Sequence, residues 1–158
     1  MTDRGPNVSI FPDTIRIKII NILTGLPVQN IATMIKLFAR HKNDYGFLLP
    51  ISDENGQIEI TKDWLNDKIE KEMNLFVMDY ASSLGTCYPK FELRILDNEE
   101  IKRAIRAMNL YKSVLGTKQE DIDDLSHVDN PKYHPISKLT ELHGEKSIEI
   151  ELKIKEIK

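Results

Sequence analysis

Cysteine is nearly missing from this chain: Cys87 is the single example. One thiol makes no internal disulfide, so the fold has to rest on its core, and no oxidising compartment is required. Long hydrophobic runs are missing too. None approaches the roughly 18–20 apolar residues that span a bilayer. The opening residues, Met1-Thr2-Asp3-Arg4-Gly5-Pro6-Asn7, lack the apolar centre of a secretory signal. The expected location is therefore cytoplasmic, with leaderless export as the alternative. A strong excess of one charge is also lacking. Lys and Arg number 22 against 25 Asp and Glu, for a net charge of -3 and a pI near 5.8. That balance gives no global drive toward nucleic acid or an anionic membrane. There is no internal repeat and no low-complexity segment. What is present is ordinary globular material: 158 residues, 41% hydrophobic and 30% charged, enough for one domain with a core of its own.

Hydrophobic periodicity outlines the elements. Residues 1–13 hold Gly5, Pro6 and Pro12 with little pattern and read as a flexible N-terminal arm. Ile15, Ile17 and Ile19 alternate with Arg16 and Lys18, the period of a half-buried strand. Ile20, Ile22 and Leu23 extend it with a phase shift that suggests a bulge. Thr24-Gly25-Leu26-Pro27 is a turn. Ile31 to Phe38 is apolar on both faces, which suggests an inner strand with Ile31, Thr33, Ile35 and Leu37 on one side. Phe47 to Ile51 reads as a short strand that Pro50 places near an edge or a strand end. Asp53-Glu54-Asn55-Gly56 is the clearest turn, and its Asn-Gly favours a tight hairpin or bulged turn. Ile58 and Ile60 then resume alternation.

Thr61 looks like a helix N-cap, with Asp63 in the first turn where an acid suits the helix dipole. Leu65, Ile69 and Met73 follow at spacing four, predicting a helix over about 62–73. Leu75 to Tyr80 leans toward strand. Phe91, Leu93 and Ile95 alternate as a strand. Asp97 and Glu100 resemble a capping box. Behind them Ile101, Ala104, Ile105, Met108, Tyr111 and Leu115 trace one face of a helix over 98–115 that ends at Gly116. Residues 117–143 are polar, with a helical turn only at Asp121 to Leu125. Ile148, Ile150, Leu152 and Ile154 alternate with Glu149, Glu151, Lys153 and Lys155, the cleanest strand pattern in the chain. If that strand lies at a sheet edge, its charges discourage casual edge pairing.

Three pieces of this pattern resemble the prealbumin-like (transthyretin-like) sandwich and, within it, the carboxypeptidase regulatory-like domains. They are Thr24-Gly25-Leu26-Pro27-Val28, the strand Ile31 to Phe38, and Ser52-Asp53-Glu54-Asn55-Gly56-Gln57-Ile58. The resemblance covers about a quarter of the chain and rests on structural turn residues. It implies a mainly β fold with helical insertions: an antiparallel prealbumin-like β-sandwich with helices at about 62–73 and 98–115. The domain then runs over 14–158, with an inserted helical segment at 98–143. The helix after Thr61 and the 98–143 segment depart from the family pattern. Many such domains are non-catalytic accessory or adhesion modules. The enzyme branch, hydroxyisourate hydrolase, carries a C-terminal Tyr-Arg-Gly-Ser and paired histidines. This chain shows Ile154-Lys155-Glu156-Ile157-Lys158 instead, which speaks against that activity.

The candidate chemical groups are few. His127, His134 and His143 share a polar region with Asp121, Asp123, Asp124 and Asp129, while His41 stands apart. No His-x-His and no helical i,i+4 pair occurs, so solvated loop residues are expected, with no metal site and no cofactor. The Asp53 to Gly56 turn lacks the alternating acids of a calcium loop. Cys87 has no visible activating partner. Lys102, Arg103, Arg106 and Lys112 read as the solvated face of the longer helix. Tyr45, Tyr88 and Tyr133 are the aromatics that a sugar or peptide groove could use. The expected function is a non-catalytic module that binds another protein or assembles with itself. Its expected contact residues are Asp44, Tyr45, Asp121, Asp123, Asp124 and Asp129. The alternative is a small hydrolase or metal-assisted enzyme built on the His- and Asp-rich 121–143 segment.

Overall fold

Alternating apolar residues become strands whose inner faces meet. A computed structural model describes residues 10–39, 44–71, 73–74, 79–80, 87–110, 119–128 and 136–155. Its strands are β1 (Thr14–Asn21), β2 (Thr33–Ala39), β3 (Tyr45–Leu48), β4 (Gln57–Thr61), β5 (Met73–Asn74), β6 (Asp79–Tyr80), β7 (Cys87–Ile95), β8 (Ser137–Glu141) and β9 (Ser147–Ile154). The helices are α1 (Lys62–Lys71), α2 (Asn98–Leu110) and α3 (Gln119–Ser126). One sheet has the order β4-β1-β9 and the other β3-β2-β7-β8, while β5 and β6 form a small ribbon.

Most pairs are antiparallel, but β1 and β9 run parallel in register from Thr14 opposite Ser147 to Asn21 opposite Ile154. A parallel pair needs a long crossover, and here nearly the whole chain lies between its two members. The sandwich interior collects Ile15, Ile17 and Ile19 of β1, Ile58 and Ile60 of β4, and Ile150, Leu152 and Ile154 of β9. They face Ile35 and Leu37 of β2 and Phe91, Leu93 and Ile95 of β7. Leu65 and Ile69 of α1 join this core. A second core lies on the outer side of the four-stranded sheet, where Ala32, Met34 and Leu96 pack against Ile101, Ala104 and Met108 of α2 and Ile122 and Leu125 of α3. β2 is therefore apolar on both faces because it is covered on both, as an inner strand should be.

Local signals act where the sequence places them. Thr61 Oγ1 accepts the Trp64 N–H at 3.1 Å and caps α1. Asp97 Oδ1 accepts the Glu100 N–H at 2.8 Å, and Glu100 Oε1 accepts the Asp97 N–H at 3.2 Å, closing the reciprocal box that starts α2. Glu100 also accepts from Arg94 Nη1 at 2.7 Å, which ties α2 to β7.

Four expectations change. The arm does not stay loose up to residue 13: Phe11 is buried in the sandwich core and stacks at 6.0 Å from Phe91. The Asp13 N–H donates to the Lys146 carbonyl. An aromatic ring within reach of a core buries, and the nearby prolines hid that from the pattern. Ile22 and Leu23 do not extend β1. They are exposed, because Asn21 Oδ1 accepts the Leu23 N–H and the Gly25 N–H donates to the Asn21 carbonyl, turning the chain at once. The Asp53 to Gly56 turn is no hairpin within one sheet. It carries the chain from β3 in one sheet to β4 in the other. Finally, the polar 117–143 stretch holds a strand, β8, beyond its one expected helical turn. Its exposed polar strand has no apolar alternation to show, and only pairing to β7 defines it. The predicted helix residues 111–115 and residues 75–78 of the expected 75–80 strand lie outside the described residues, while Asp79–Tyr80 forms β6.

Candidate functional site

The 52–56 turn is held by its own side chains. Asp53 Oδ1 accepts the Asn55 and Gln57 N–H groups, both at 2.9 Å. The buried Ser52 hydroxyl donates to the Val28 carbonyl and accepts the Ile31 N–H, each at 2.9 Å. Gly56 has φ 70°, and a Cβ there would sit 2.6 Å from the Ile19 carbonyl oxygen. This fit seats the turn against β1 and the start of β2.

α3 supplies the opposite wall. Ile122 and Leu125 anchor it to the second core, which turns its polar side outward. Its first turn carries Glu120 and Asp121, and its last turn has no basic residue. Asp123 accepts from Gln119 Nε2 at 2.9 Å. The helix closes with the His127 N–H on the Asp124 carbonyl. Between turn and helix lies an open groove of about 560 Å³, lined by Gln29, Asn30, Ile51, Ser52, Asp53, Glu54, Asp124 and His127. Among the described residues no Lys or Arg lines it. Three carboxylates at the rim, beside the negative end of a helix dipole, make it a place for positive charge.

The expected contact residues fall in different places. Asp123 and Asp124 are exposed and Asp121 half-buried on α3, with Asp124 in the groove. Asp44 is half-buried before β3, 3.6 Å from Lys36 Nζ. Tyr45 is a correction: it is 5% exposed and belongs to the sandwich core, because its position in β3 turns the ring inward. Asp129 lies outside the described residues, as do His41, His134, Tyr133 and Lys112. Tyr88 is exposed with Lys90 Nζ 5.7 Å from its ring, on the other face of the sheet from Tyr45. His143 sits between β8 and β9 and does not line the groove with His127. Among the described residues no three His, Cys, Asp or Glu gather to hold a metal ion. Cys87 is buried, and burial pushes its thiol up to about 11, the opposite of an activated nucleophile. Lys102, Arg103 and Arg106 are exposed on α2, with Lys102 3.5 Å from Glu99. The signal missed in the sequence is Asp53 and Glu54: they look like turn residues, and only the tertiary fold brings α3 to them.

No protein-family model matches the chain, and no curated protein matches it. Solved structures similar in shape include the transthyretin of Sparus aurata, 11% identical at a TM-score of 0.40, covering 88% of this chain and 87% of that one. The BcpA*(D312A) major pilin subunit of Bacillus cereus is 9% identical at a TM-score of 0.44, covering 92% of this chain. An (S)-allantoin synthase is 7% identical at 0.43, covering 90% of this chain. This chain spans 30% of the pilin subunit and 42% of the synthase. Likenesses at these scores carry no functional argument. Among the described residues no helix is long and apolar enough to cross a membrane.

Proposed function

We propose that this chain is a non-catalytic β-sandwich module that binds another protein or assembles with itself, and that the groove between α3 and the 52–56 turn receives a basic side chain of a partner. The prealbumin-like resemblance of the Gly25 and Gly56 turns supports the module reading. The observation that carries the groove reading is the convergence of Asp53 and Glu54 with Asp124, far along the chain, around one opening with no Lys or Arg among its described lining residues. Clefts lined by one sign of charge concentrate ligands of the other sign. Asp121 and Asp123 extend the same field along α3.

The test is a partner captured from the native host and then measured in purified form against two variants. In one, Asp121, Asp123 and Asp124 are reversed to Lys. In the other, Glu54→Lys is combined with Asp124→Lys. The expected result is roughly a tenfold or greater loss of affinity in both, together with weaker wild-type binding at high salt. Unchanged affinity in both variants removes the acidic groove from the account.

A further inference from the structure

We propose that the edge of β9 away from β1, which no other described strand occupies, pairs with β9 of a second copy, antiparallel, in the single register that centres on Leu152. The inference rests on the self-assembly arm of the reading above. It shares no residue with the acidic groove, so the two fail separately.

The four outer edges of the two sheets are β4, β9, β3 and β8, and they are not equally guarded. β3 has four residues. β4 has five and runs directly into α1. β8 places Lys138 opposite Leu93, on the core side of its sheet, and an inward-pointing charge is a standard guard against edge pairing. β9 has eight residues, with no proline and no register shift along its pairing to β1. Its core side is Ile148, Ile150, Leu152 and Ile154. An open groove of about 430 Å³, lined by Glu151, Leu152 and Lys153 with Ile136, Ser137 and Lys138, runs beside the middle of the strand.

The backbone shows which groups are left over. The carbonyls of Lys146 and Ile154 point toward the β1 side, accepting from Asp13 and Ile22 at 2.8 Å each. Backbone groups alternate in direction along a strand, so Glu149, Glu151 and Lys153 turn their N–H and C=O to the edge away from β1, and Lys155 follows directly on the last residue of the strand. Antiparallel pairing joins such residues to each other. Centring on Leu152 sets Glu151 opposite Lys153 of the copy and Glu149 opposite Lys155 of the copy, four ion pairs by the two-fold symmetry. On the other face Leu152 meets Leu152, and Ile150 meets Ile154. A shift of two residues in either sense puts one like-charged pair at the centre, Glu151 on Glu151 or Lys153 on Lys153, and leaves two opposite pairs in place of four. Opposite charges across strands stabilise and like charges destabilise. The pattern Glu-Ile-Glu-Leu-Lys-Ile-Lys thus discourages general edge pairing while being complementary to itself. The present contacts of these side chains, Arg16 to Glu149 at 3.7 Å and Lys153 to Glu151 at 3.8 Å, are exposed and long, so they yield at little cost.

Sedimentation of the whole chain tests this. The wild type is expected to be a dimer, twice 18.3 kDa, at tens of micromolar by order of magnitude, the range of a modest interface. Glu149→Lys with Glu151→Lys makes a basic edge, and Lys153→Glu with Lys155→Glu makes an acidic edge. Each double variant alone is expected to sediment as a monomer, with dissociation constants raised roughly 100-fold. An equimolar mixture of the two is expected to form heterodimers, and the fourfold swap to restore the homodimer. Far-UV circular dichroism checks that these exposed substitutions leave the fold intact. A wild type that stays monomeric overturns the proposal. So does a dimer that both double variants retain, since it would use another surface. Glu54→Lys with Asp124→Lys should leave sedimentation unchanged.

Discussion

Gly56 and Gly25 share nearly the same left-handed backbone, at φ 70° and 71°, but not the same surroundings. At Gly25 nothing lies within 4 Å of a built Cβ, whereas at Gly56 the Ile19 carbonyl, Pro27 and Val28 lie at 2.6–3.0 Å. Gly25→Ala should therefore cost about 1 kcal/mol, the strain of the backbone alone. Gly56→Ala should cost roughly 2–4 kcal/mol and disturb the groove. Urea unfolding of the two variants checks the contrast. Thr33 makes the opposite point. Its hydroxyl is fully buried with no hydrogen-bond partner among the described residues, so Thr33→Val should raise stability by about 1 kcal/mol. Cys87 titrates by burial. Its folded value lies near 11, above the ordinary 9.0, so the neutral thiol favours the folded state. That contribution is fully present below pH 9 and is lost as pH rises toward 11, by an amount on the order of 2 kcal/mol. A thiol reagent should meet almost no reaction with the folded chain at pH 8 and rapid reaction once urea unfolds it.

Elements were legible where their signal is local. The N-cap at Thr61 and the capping box of Asp97 with Glu100 predicted where α1 and α2 begin, period-2 apolar runs predicted β1, β4, β7 and β9, and an apolar run on both faces predicted β2. β8 was not legible, because an edge strand exposed on most positions needs no apolar face and exists only by its bonds to β7. Tyr45 shows the same limit in a side chain: a tyrosine beside a polar tip looks available, and only the sheet pairing turns it inward. Glu100 is the element-scale joint, because it serves the α2 cap and holds Arg94 of β7 in a half-buried ion pair. Glu100→Ala should lower stability by about 2 kcal/mol, more than an exposed cap would. Glu100→Gln, which keeps the cap and loses the charge, should recover part of it. Chemical denaturation of both variants separates the two roles.

At the scale of the molecule, two cores share one sheet: the sandwich interior on one side and the α2–α3 cover on the other. This arrangement leaves the sheet edges and the acidic groove at the surface. If β9 pairs with a second copy, the melting temperature should rise with protein concentration in the wild type and stay constant in the basic-edge variant, since association stabilises only the folded chain. Differential scanning calorimetry across a hundredfold concentration range, by order of magnitude, checks this. The sequence by itself determined the inward faces of the alternating strands and where α1 and α2 start, because periodicity and capping act over a few neighbouring residues. It also carried the self-complementary charges of β9, without showing that they lie along an edge. Only the tertiary structure decided that β9 lies beside β1, that it ends its sheet among the described strands, and that Asp53 and Glu54 line one groove with Asp124. Those outcomes depend on which distant apolar faces bury against each other, and no local pattern records a partner so far along the chain.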